Sequence, residues 1–201
     1  TDTSPVSNWC RPAEHRRGSV GMPIVDVHER IVGEDGADLP ANEDGEIRIS
    51  GPNIMRGYYK LPEETKNAFD DQGYFRTGDM GHLDDDGFLH ITGRIKEMLI
   101  IGGENVFPRE IEEVLTNHPD VLAAGVVGRQ DDSRGEVAVA FVELKEGAEF
   151  DEMALRSWCR ESIATFKVPK TITLLQELPR NPTGKIVRRA LAELVQKDIT
   201  Q

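Results

Sequence analysis

A change of pattern near residue 92 constrains the fold of this chain more than any other feature. Before it, short apolar runs alternate with Gly, Pro and Asp, as in residues 45–51 (GEIRISG) and in residues 84–92, where a turn-like DDDG precedes an apolar run. Short strands separated by frequent turns are typical of a small β-barrel or sandwich. We therefore predict a β-rich, barrel-like unit over residues 1–92.

After that point the pattern predicts alternating helices and strands. Pro108 can open a helix with apolar residues at i, i+3 and i+4, and Asp151 is a suitable N-cap for a second helix. A last helix is expected from about Lys185 to Val195. Three apolar runs predict strands: residues 121–127, 136–144 and 171–175. This order predicts a small α+β domain, and the fold class of the chain is predicted to be α+β.

Charge and composition exclude several classes of function. The net charge of -12 makes the chain a poor candidate for nucleic-acid binding, which requires basic faces. No apolar run reaches the roughly 20 residues of a transmembrane segment. The two cysteines match no metal or redox spacing, which fits a reducing compartment, so a cytoplasmic location is expected.

The run of residues 179–185 (PRNPTGK) ends in a lysine at a predicted helix start. The ordinary interpretation is a solvated loop lysine. The run is not a P-loop, because Pro179 stands where the first Gly should be and Ile186 where Ser or Thr should be. However, a loop with two prolines can present a lysine rigidly, and a helix start favours anionic oxygens. Lys185, with Arg188 and Arg189 nearby, could therefore receive a phosphate or a carboxylate.

Two other segments are ambiguous when each is taken alone. Gly102 and Gly103 follow an apolar strand and are either a plain loop or a place where a ligand approaches the backbone closely. Asp79 follows a glycine and is either part of a turn or an acceptor for two sugar hydroxyls. The aspartates at 84–86 do not fit the register of a calcium-binding EF-hand loop.

Taken in order, these segments resemble the motifs of the adenylate-forming superfamily, which includes acyl- and aryl-CoA synthetases, peptide-synthetase adenylation domains and luciferases. The matching segments are residues 1–5 (the tail of a Tyr-Gly-x-Thr-Glu motif), 18–21, 45–59, 75–79 (Tyr-Arg-Thr-Gly-Asp), 93–112 (the hinge motif) and 179–185 (Pro-x4-Gly-Lys). The resemblance covers nearly the whole chain. The run GGENVFPREIE is most similar to ligases that join fatty or other organic acids to coenzyme A.

The resemblance implies two half-reactions, in which ATP and a carboxylic acid form an acyl-adenylate and a thiol of coenzyme A then displaces AMP. It also implies a hinge at residues 93–97 and a mobile α+β domain at 98–201. The implied site residues are Lys185 as the catalytic residue, Thr1, Asp79 and Arg94 for the nucleotide, Lys96 as the pivot, Gly102, Gly103 and Glu104 at the coenzyme A tunnel, and Asp2 for Mg²⁺. Reversible acetylation of Lys185 by an acetyltransferase and a deacylase is a further expectation.

Two departures from the family pattern stand out. Asp2 replaces the usual metal-binding Glu, and Phe75 replaces the usual Tyr. The family's phosphate loop and acyl pocket are expected upstream of Thr1, so we expect a C-terminal fragment without synthetase activity of its own. Two alternatives to a fatty-acid–CoA ligase stay open, namely an adenylation domain that loads a carrier protein and a non-catalytic binding module.

Overall fold

The structure is a computed structural model that describes residues 2–12 and 15–199. The chain forms two compact units that divide between Lys96 and Glu97. This division lies within the segment 93–97, for which a hinge is predicted. Within the described residues, no helix is both long and apolar enough to cross a membrane.

The first unit is a single antiparallel sheet with one short helix. Its elements are β1 (Asn8–Trp9), β2 (Ser19–Pro23), β3 (His28–Val32), β4 (Gly45–Ser50), α1 (Pro62–Asn67), β5 (Phe75–Leu83) and β6 (Leu89–Arg94). The six strands lie in the order β1-β2-β6-β5-β4-β3, and every neighbouring pair is antiparallel. Alternate side chains along a strand, such as those of Ile47 and Ile49, point from one face of the sheet into the hydrophobic core. The prediction of a β-rich, barrel-like unit is confirmed.

The second unit combines a mixed sheet with three helices. Its elements are β7 (Leu99–Ile101), β8 (Glu104–Val106), α2 (Pro108–Thr116), β9 (Val121–Asp131), β10 (Gly135–Leu144), α3 (Glu152–Ser162), β11 (Thr171–Leu174) and α4 (Arg188–Ile199). Strand β10 pairs antiparallel with β9 and β7 and parallel with β11.

Helices cover both faces of this sheet. Ile111 of α2 and Leu155 of α3 are buried against one face, and Leu191 of α4 is buried against the other. Strands β9 and β10 are therefore buried on both sides, which is why they are nearly continuous apolar runs. The predicted α+β fold class is confirmed.

The helix boundaries agree with the sequence patterns except at α4. Pro108 is the first residue of α2, and the carboxylate of Asp151 accepts a hydrogen bond from the Ala154 amide at 3.0 Å as the N-cap of α3. The last helix was predicted to begin at about Lys185 but begins at Arg188. The prediction was wrong by three residues because the backbone of Lys185 is hydrogen-bonded into the preceding loop.

Candidate functional site

An open pocket of about 420 Å³ lies in the first unit, beside the ends of β5 and β6 and the segment of residues 2–8. Its volume is in the range of small-molecule sites. The other lining residues are apolar, and the polar side chains that line the pocket are those of Asp2, Thr3, Ser7, Asn8, Thr77, Asp79 and Arg94. Of the residues predicted to bind nucleotide or metal, the structure thus brings Asp2, Asp79 and Arg94 together.

A bulge in β5 positions Asp79. Three residues, Thr77 to Asp79, lie opposite the single residue Ile47 of β4. Gly78 has a φ of +68°, a left-handed conformation that glycine adopts without strain. The Thr77 hydroxyl donates to the Ile47 carbonyl at 2.7 Å and accepts from the Asp79 amide at 3.0 Å. Bulges of this kind redirect side chains, and here the bulge places Thr77 and Asp79 in the pocket wall.

Asp79 and Arg94 form an ion pair at the edge of the pocket. The two residues lie opposite each other in β5 and β6, and Arg94 Nε is 2.7 Å from Asp79 Oδ1. The side chains are 25% and 51% exposed, so the pair contributes little to stability. The arrangement does offer a ligand both acceptor and donor groups, because a carboxylate has about four acceptor positions and a guanidinium five N–H donors.

Asp2 lies in the same pocket, next to Tyr58. Its backbone carbonyl accepts from the Met55 amide at 2.8 Å. Burial, together with the negative charge and the hydrogen bond of the Asp2 carboxylate, raises the pKa of Tyr58. Within the described part of the chain, no group of three or more His, Cys, Asp or Glu side chains could hold a metal ion. Thr1, which was predicted to contact the nucleotide, lies outside the described residues.

The glycines of the predicted coenzyme A tunnel form a tight turn in the second unit. Gly102 and Gly103 connect β7 to β8, and their φ values of +63° and +90° are typical of a two-residue type I′ hairpin. The Gly102 amide donates to the Arg134 carbonyl at 2.8 Å. A Cβ added at either glycine would meet open space, so the backbone conformation alone explains both residues. Glu104 begins β8 and is exposed.

Asn181 organises the loop that carries Lys185. Its side-chain oxygen accepts hydrogen bonds from the Thr183 amide at 3.0 Å, the Thr183 hydroxyl at 2.8 Å and the Lys185 amide at 2.9 Å. The Asn181 amide in turn donates to the Lys185 carbonyl at 2.9 Å. This is the Asx-type turn that Asn favours before Pro and Gly. The backbone at Lys185 is therefore fixed from both sides.

The stem of the loop is fixed as well. Arg180 and Ile186 form an isolated antiparallel bridge, and the Val187 amide donates to the Pro179 carbonyl at 2.8 Å. Arg180 also donates to the Glu143 carboxylate at 2.8 Å, and this bond lowers the pKa of Glu143. The Lys185 side chain, in contrast, is exposed and has no hydrogen bond or ion pair with any residue that the structure describes.

Arg188 is engaged within the protein and does not stand beside Lys185 as a free cation. Its guanidinium contacts both oxygens of Glu112, at 2.7 and 2.9 Å, and Glu97 at 3.0 Å. The expectation that Arg188 helps to receive an anion is not supported, since three of its N–H groups already have carboxylate partners. Lys96, the predicted pivot, is exposed in the 3-10 turn that ends at Glu97.

Sequence analysis missed the residues that position these groups. Thr77 and Asn181 each place a side-chain oxygen two residues before an amide that they bind, a local pattern that can be read from sequence. The contacts of Arg188 with Glu97 and Glu112 span 91 and 76 residues, and no local pattern indicates them.

Comparisons with known proteins agree with this arrangement. The family model "AMP-binding enzyme" matches residues 1–59, and "AMP-binding enzyme C-terminal domain" matches residues 110–185. Sulfoacetate–CoA ligase of Cupriavidus necator is 44% identical over 185 residues, covering 92% of this chain and 36% of the relative. 2-Succinylbenzoate–CoA ligase of Geobacillus kaustophilus is 47% identical over 180 residues, covering 90% and 36%. The chain thus spans just over a third of the length of these relatives.

A solved structure of an acid–CoA ligase also matches this chain. O-succinylbenzoate coenzyme A synthetase of Bacillus subtilis in complex with AMP superposes with a TM-score of 0.87 at 34% identity, covering 95% of this chain and 39% of that one. Two models of one enzyme class match in chain order, and acid–CoA ligases match along nearly the whole chain. The chain therefore belongs to the adenylate-forming superfamily of AMP-binding enzymes and corresponds to the C-terminal part of its acid–CoA ligases.

Proposed function

We propose that the protein to which this chain belongs is an AMP-forming ligase that joins a carboxylic acid to coenzyme A. In the first step, a carboxylate oxygen of the acid attacks the α-phosphorus of ATP and pyrophosphate leaves. In the second, the sulfur of coenzyme A attacks the acyl carbonyl carbon and AMP leaves. The observation that carries the proposal is the Asp79–Arg94 pair at an open pocket, in a chain whose relatives are named as acid–CoA ligases.

In this proposal Asp79 and Arg94 hold the nucleoside part of ATP. The carboxylate of Asp79 accepts hydrogen bonds from the ribose hydroxyls, and the bulge that Thr77 clamps keeps that carboxylate in the pocket wall. Arg94 fixes the carboxylate through its Nε contact. Both groups are in place before the ligand binds, which reduces the ordering cost of binding.

Asp2 is the proposed protein ligand for Mg²⁺. This ion usually keeps several waters and binds one or two carboxylates together with phosphate oxygens, so one carboxylate in a polar pocket suffices. Asp2 lines the pocket and fits that requirement, although the Tyr58 hydroxyl shares its carboxylate. When bound there, the ion would neutralise charge on the phosphates of ATP.

Lys185 is the proposed catalytic residue of the first step. An exposed ammonium on a fixed loop can lie against the acid carboxylate and the α-phosphate, where negative charge increases in the transition state. Lys96 is the proposed pivot that would carry the Lys185 loop away and bring the turn at Gly102 and Gly103 towards the thiol. Acetylation of Lys185 would remove the charge on which its role depends, so this modification is proposed to stop adenylation.

The acid itself is proposed only by class. Sequence analysis predicted a fatty acid, but the relatives reported above are named for sulfoacetate and 2-succinylbenzoate. These names support an organic acid more broadly, and the fatty acid stays one member of that class to be tested. Either kind of acid would use the same Asp79, Arg94 and Lys185 chemistry.

ATP–pyrophosphate exchange by the full-length protein, measured with a panel of organic and fatty acids, tests the proposal. Exchange that depends on one class of acid is expected, and absence of exchange with every acid would indicate a non-catalytic module. A second assay offers free coenzyme A or a carrier protein as the acceptor. Thioester formation with coenzyme A is expected, and transfer to the carrier protein alone would identify a carrier-loading adenylation domain.

A further inference from the structure

The cluster formed by Arg188, Glu97 and Glu112 connects three distant parts of the second unit. Arg188 is the first residue of α4, three residues after Lys185, and Glu97 is the first residue after the predicted pivot Lys96. Glu112 lies in α2. The guanidinium of Arg188 therefore links the segment that follows the pivot to the segment that follows the lysine loop.

The contact with Glu112 is the anchor of this cluster. It is a bidentate pair, with NH1 and NH2 of Arg188 on the two carboxylate oxygens at 2.7 and 2.9 Å. Glu112 is 14% exposed, and its Oε1 also accepts from the Val126 amide of β9 at 2.8 Å. A fork of this geometry fixes the orientation of both side chains. Burial raises the pKa of Glu112, and the charge of Arg188 acts in the opposite direction.

The contact with Glu97 is not needed to neutralise Arg188. The guanidinium carries one positive charge and already has a full carboxylate partner in Glu112, so Glu97 brings a second negative charge to the cluster. The Glu97 side chain is also 31% exposed. A partly exposed third partner of this kind adds little stability. What it adds is a fixed position for Glu97 relative to α4.

We propose that Arg188 is a positioning residue that, through Glu97 and Glu112, holds the Lys185 loop in register with the chain segment leaving the pivot. Backbone hydrogen bonds connect Arg188 to the Lys185 loop. Val187 is hydrogen-bonded to Pro179, and Lys185 is hydrogen-bonded to Asn181. Lys185 and Glu97 thus belong to one rigid assembly. A rotation at Lys96 therefore moves Lys185 as well, because no flexible segment between them absorbs the motion. The inference rests on the proposed function, because it assigns the assembly a role in delivering Lys185 for adenylation.

Glu97→Ala in the full-length protein tests this role, because it removes the pivot side of the cluster and leaves the Glu112 pair intact. We expect the kcat of ATP–pyrophosphate exchange to fall about tenfold, with the KM for ATP within about twofold of the wild type. Thioester formation from supplied acyl-adenylate and coenzyme A should stay within about twofold, since Lys185 takes no part in that step. Glu97→Gln, which keeps an acceptor for Arg188 Nε, should fall between Glu97→Ala and the wild type.

The matched control is Glu193→Ala. This variant removes the ion pair between Glu193 and Arg189, which both lie on α4. Their side chains are 56% and 90% exposed, respectively, so the pair faces solvent. Both half-reactions of this variant should be unchanged. Glu97→Ala should also add no further loss of exchange in a Lys185→Ala background, because residues that act through one group are non-additive. Equal loss in both half-reactions, or full additivity with Lys185→Ala, would overturn the proposal.

Amide hydrogen exchange separates this inference from the proposed function. In Glu97→Ala, the amides of residues 181 and 183–187 should exchange faster than in the wild type, and in Glu193→Ala they should not. If the wild-type protein shows no pyrophosphate exchange, the proposed function fails, and the hydrogen-exchange result still reports on the coupling. If these amides are as well protected in Glu97→Ala as in the wild type, the coupling is absent and the inference is wrong.

Discussion

The pocket of the first unit and the Lys185 loop of the second fix their polar groups in opposite ways. In the pocket, polar side chains have side-chain partners: Arg94 contacts Asp79, and Asn8 contacts the partly buried Glu29. In the loop, the backbone is held at almost every residue, and the Lys185 side chain has no partner among the residues that the structure describes. The pocket thus holds its charged groups paired, whereas the loop has a fixed backbone and an exposed cation.

Of the variants proposed to test this contrast, Lys185→Ala should cause the largest loss of activity. Without the ammonium, ATP–pyrophosphate exchange by the full-length protein should fall by about 100- to 1,000-fold, the size reported for removing one group that stabilises transition-state charge. Thioester formation from supplied acyl-adenylate should change by less than about threefold. Lys170→Ala, at an exposed lysine of the same unit, is the control. Equal loss in both steps would show that the loop does not act separately from the pocket.

Asp79→Asn tests the pocket side of the comparison. The change removes the charge that pairs with Arg94 and weakens the acceptor proposed for the ribose, so the KM for ATP should rise by about 10- to 100-fold. The unfolding temperature should change little, because the pair is partly exposed. Asp71→Asn, at an exposed residue before β5, should leave the KM unchanged. An unaltered KM in Asp79→Asn would mean that the nucleotide binds elsewhere.

Glu29→Gln tests the partly buried carboxyl group that contacts the pocket residue Asn8. The Asn8 amide donates to Glu29 Oε2 at 3.1 Å, and Oε1 is buried without a hydrogen-bond partner among the described residues. Burial raises the pKa of Glu29 to about 7, and the hydrogen bond from Asn8 acts in the opposite direction. The folded state therefore holds this proton more tightly than the unfolded state. The stabilisation is fully present below the unfolded pKa and is lost as pH rises through about 7.

A glutamine resembles the protonated acid at every pH. At pH 8 the variant should be more stable than the wild type by about 3 kcal/mol, because the folded-state pKa of about 7 lies well above the ordinary 4.5 and each pKa unit corresponds to about 1.4 kcal/mol. At pH 4, below the unfolded pKa, the two proteins should unfold at nearly the same denaturant concentration. Chemical unfolding of both proteins at the two pH values is the measurement, and Glu43→Gln, at an exposed site, is the control. A difference that does not depend on pH would contradict a protonated Glu29.

The two regions also differ in how far the sequence predicted them. Asp79, Arg94 and Lys185 lie in motifs with a local chemical logic, so their positions could be proposed from resemblance and turn chemistry. The bulge opposite Ile47 and the cluster around Arg188 depend on strand register and on contacts across tens of residues, which a local pattern does not encode. The same reason explains why α4 begins later than predicted: helical periodicity extends to Lys185, but hydrogen bonds to Asn181 hold that residue in the loop.

Asn181→Ala is expected to have the smallest effect on activity. It tests directly whether the fixed backbone of the Lys185 loop matters, in contrast to the pocket. Three donors lose their acceptor, but the bridge of Arg180 with Ile186 and the contact of Arg180 with Glu143 remain, so the loop should loosen without unfolding. Pyrophosphate exchange should fall about threefold to tenfold, because a misplaced group loses part of its effective concentration. The loss should stay well below that of Lys185→Ala.

Amide exchange distinguishes this loosening from a general loss of stability. In Asn181→Ala, the amides of Thr183 and Lys185 should exchange faster, while those of the buried strand β10 stay protected. Asn181→Asp keeps an acceptor oxygen for both amides and should restore their protection. The aspartate adds a negative charge near Lys185, which would offset the charge of the ammonium. ATP–pyrophosphate exchange activity should therefore recover less than amide protection does. Unchanged protection in Asn181→Ala would show that the stem alone fixes the loop, and the contrast with the pocket would then rest on Arg180 and its partner Glu143.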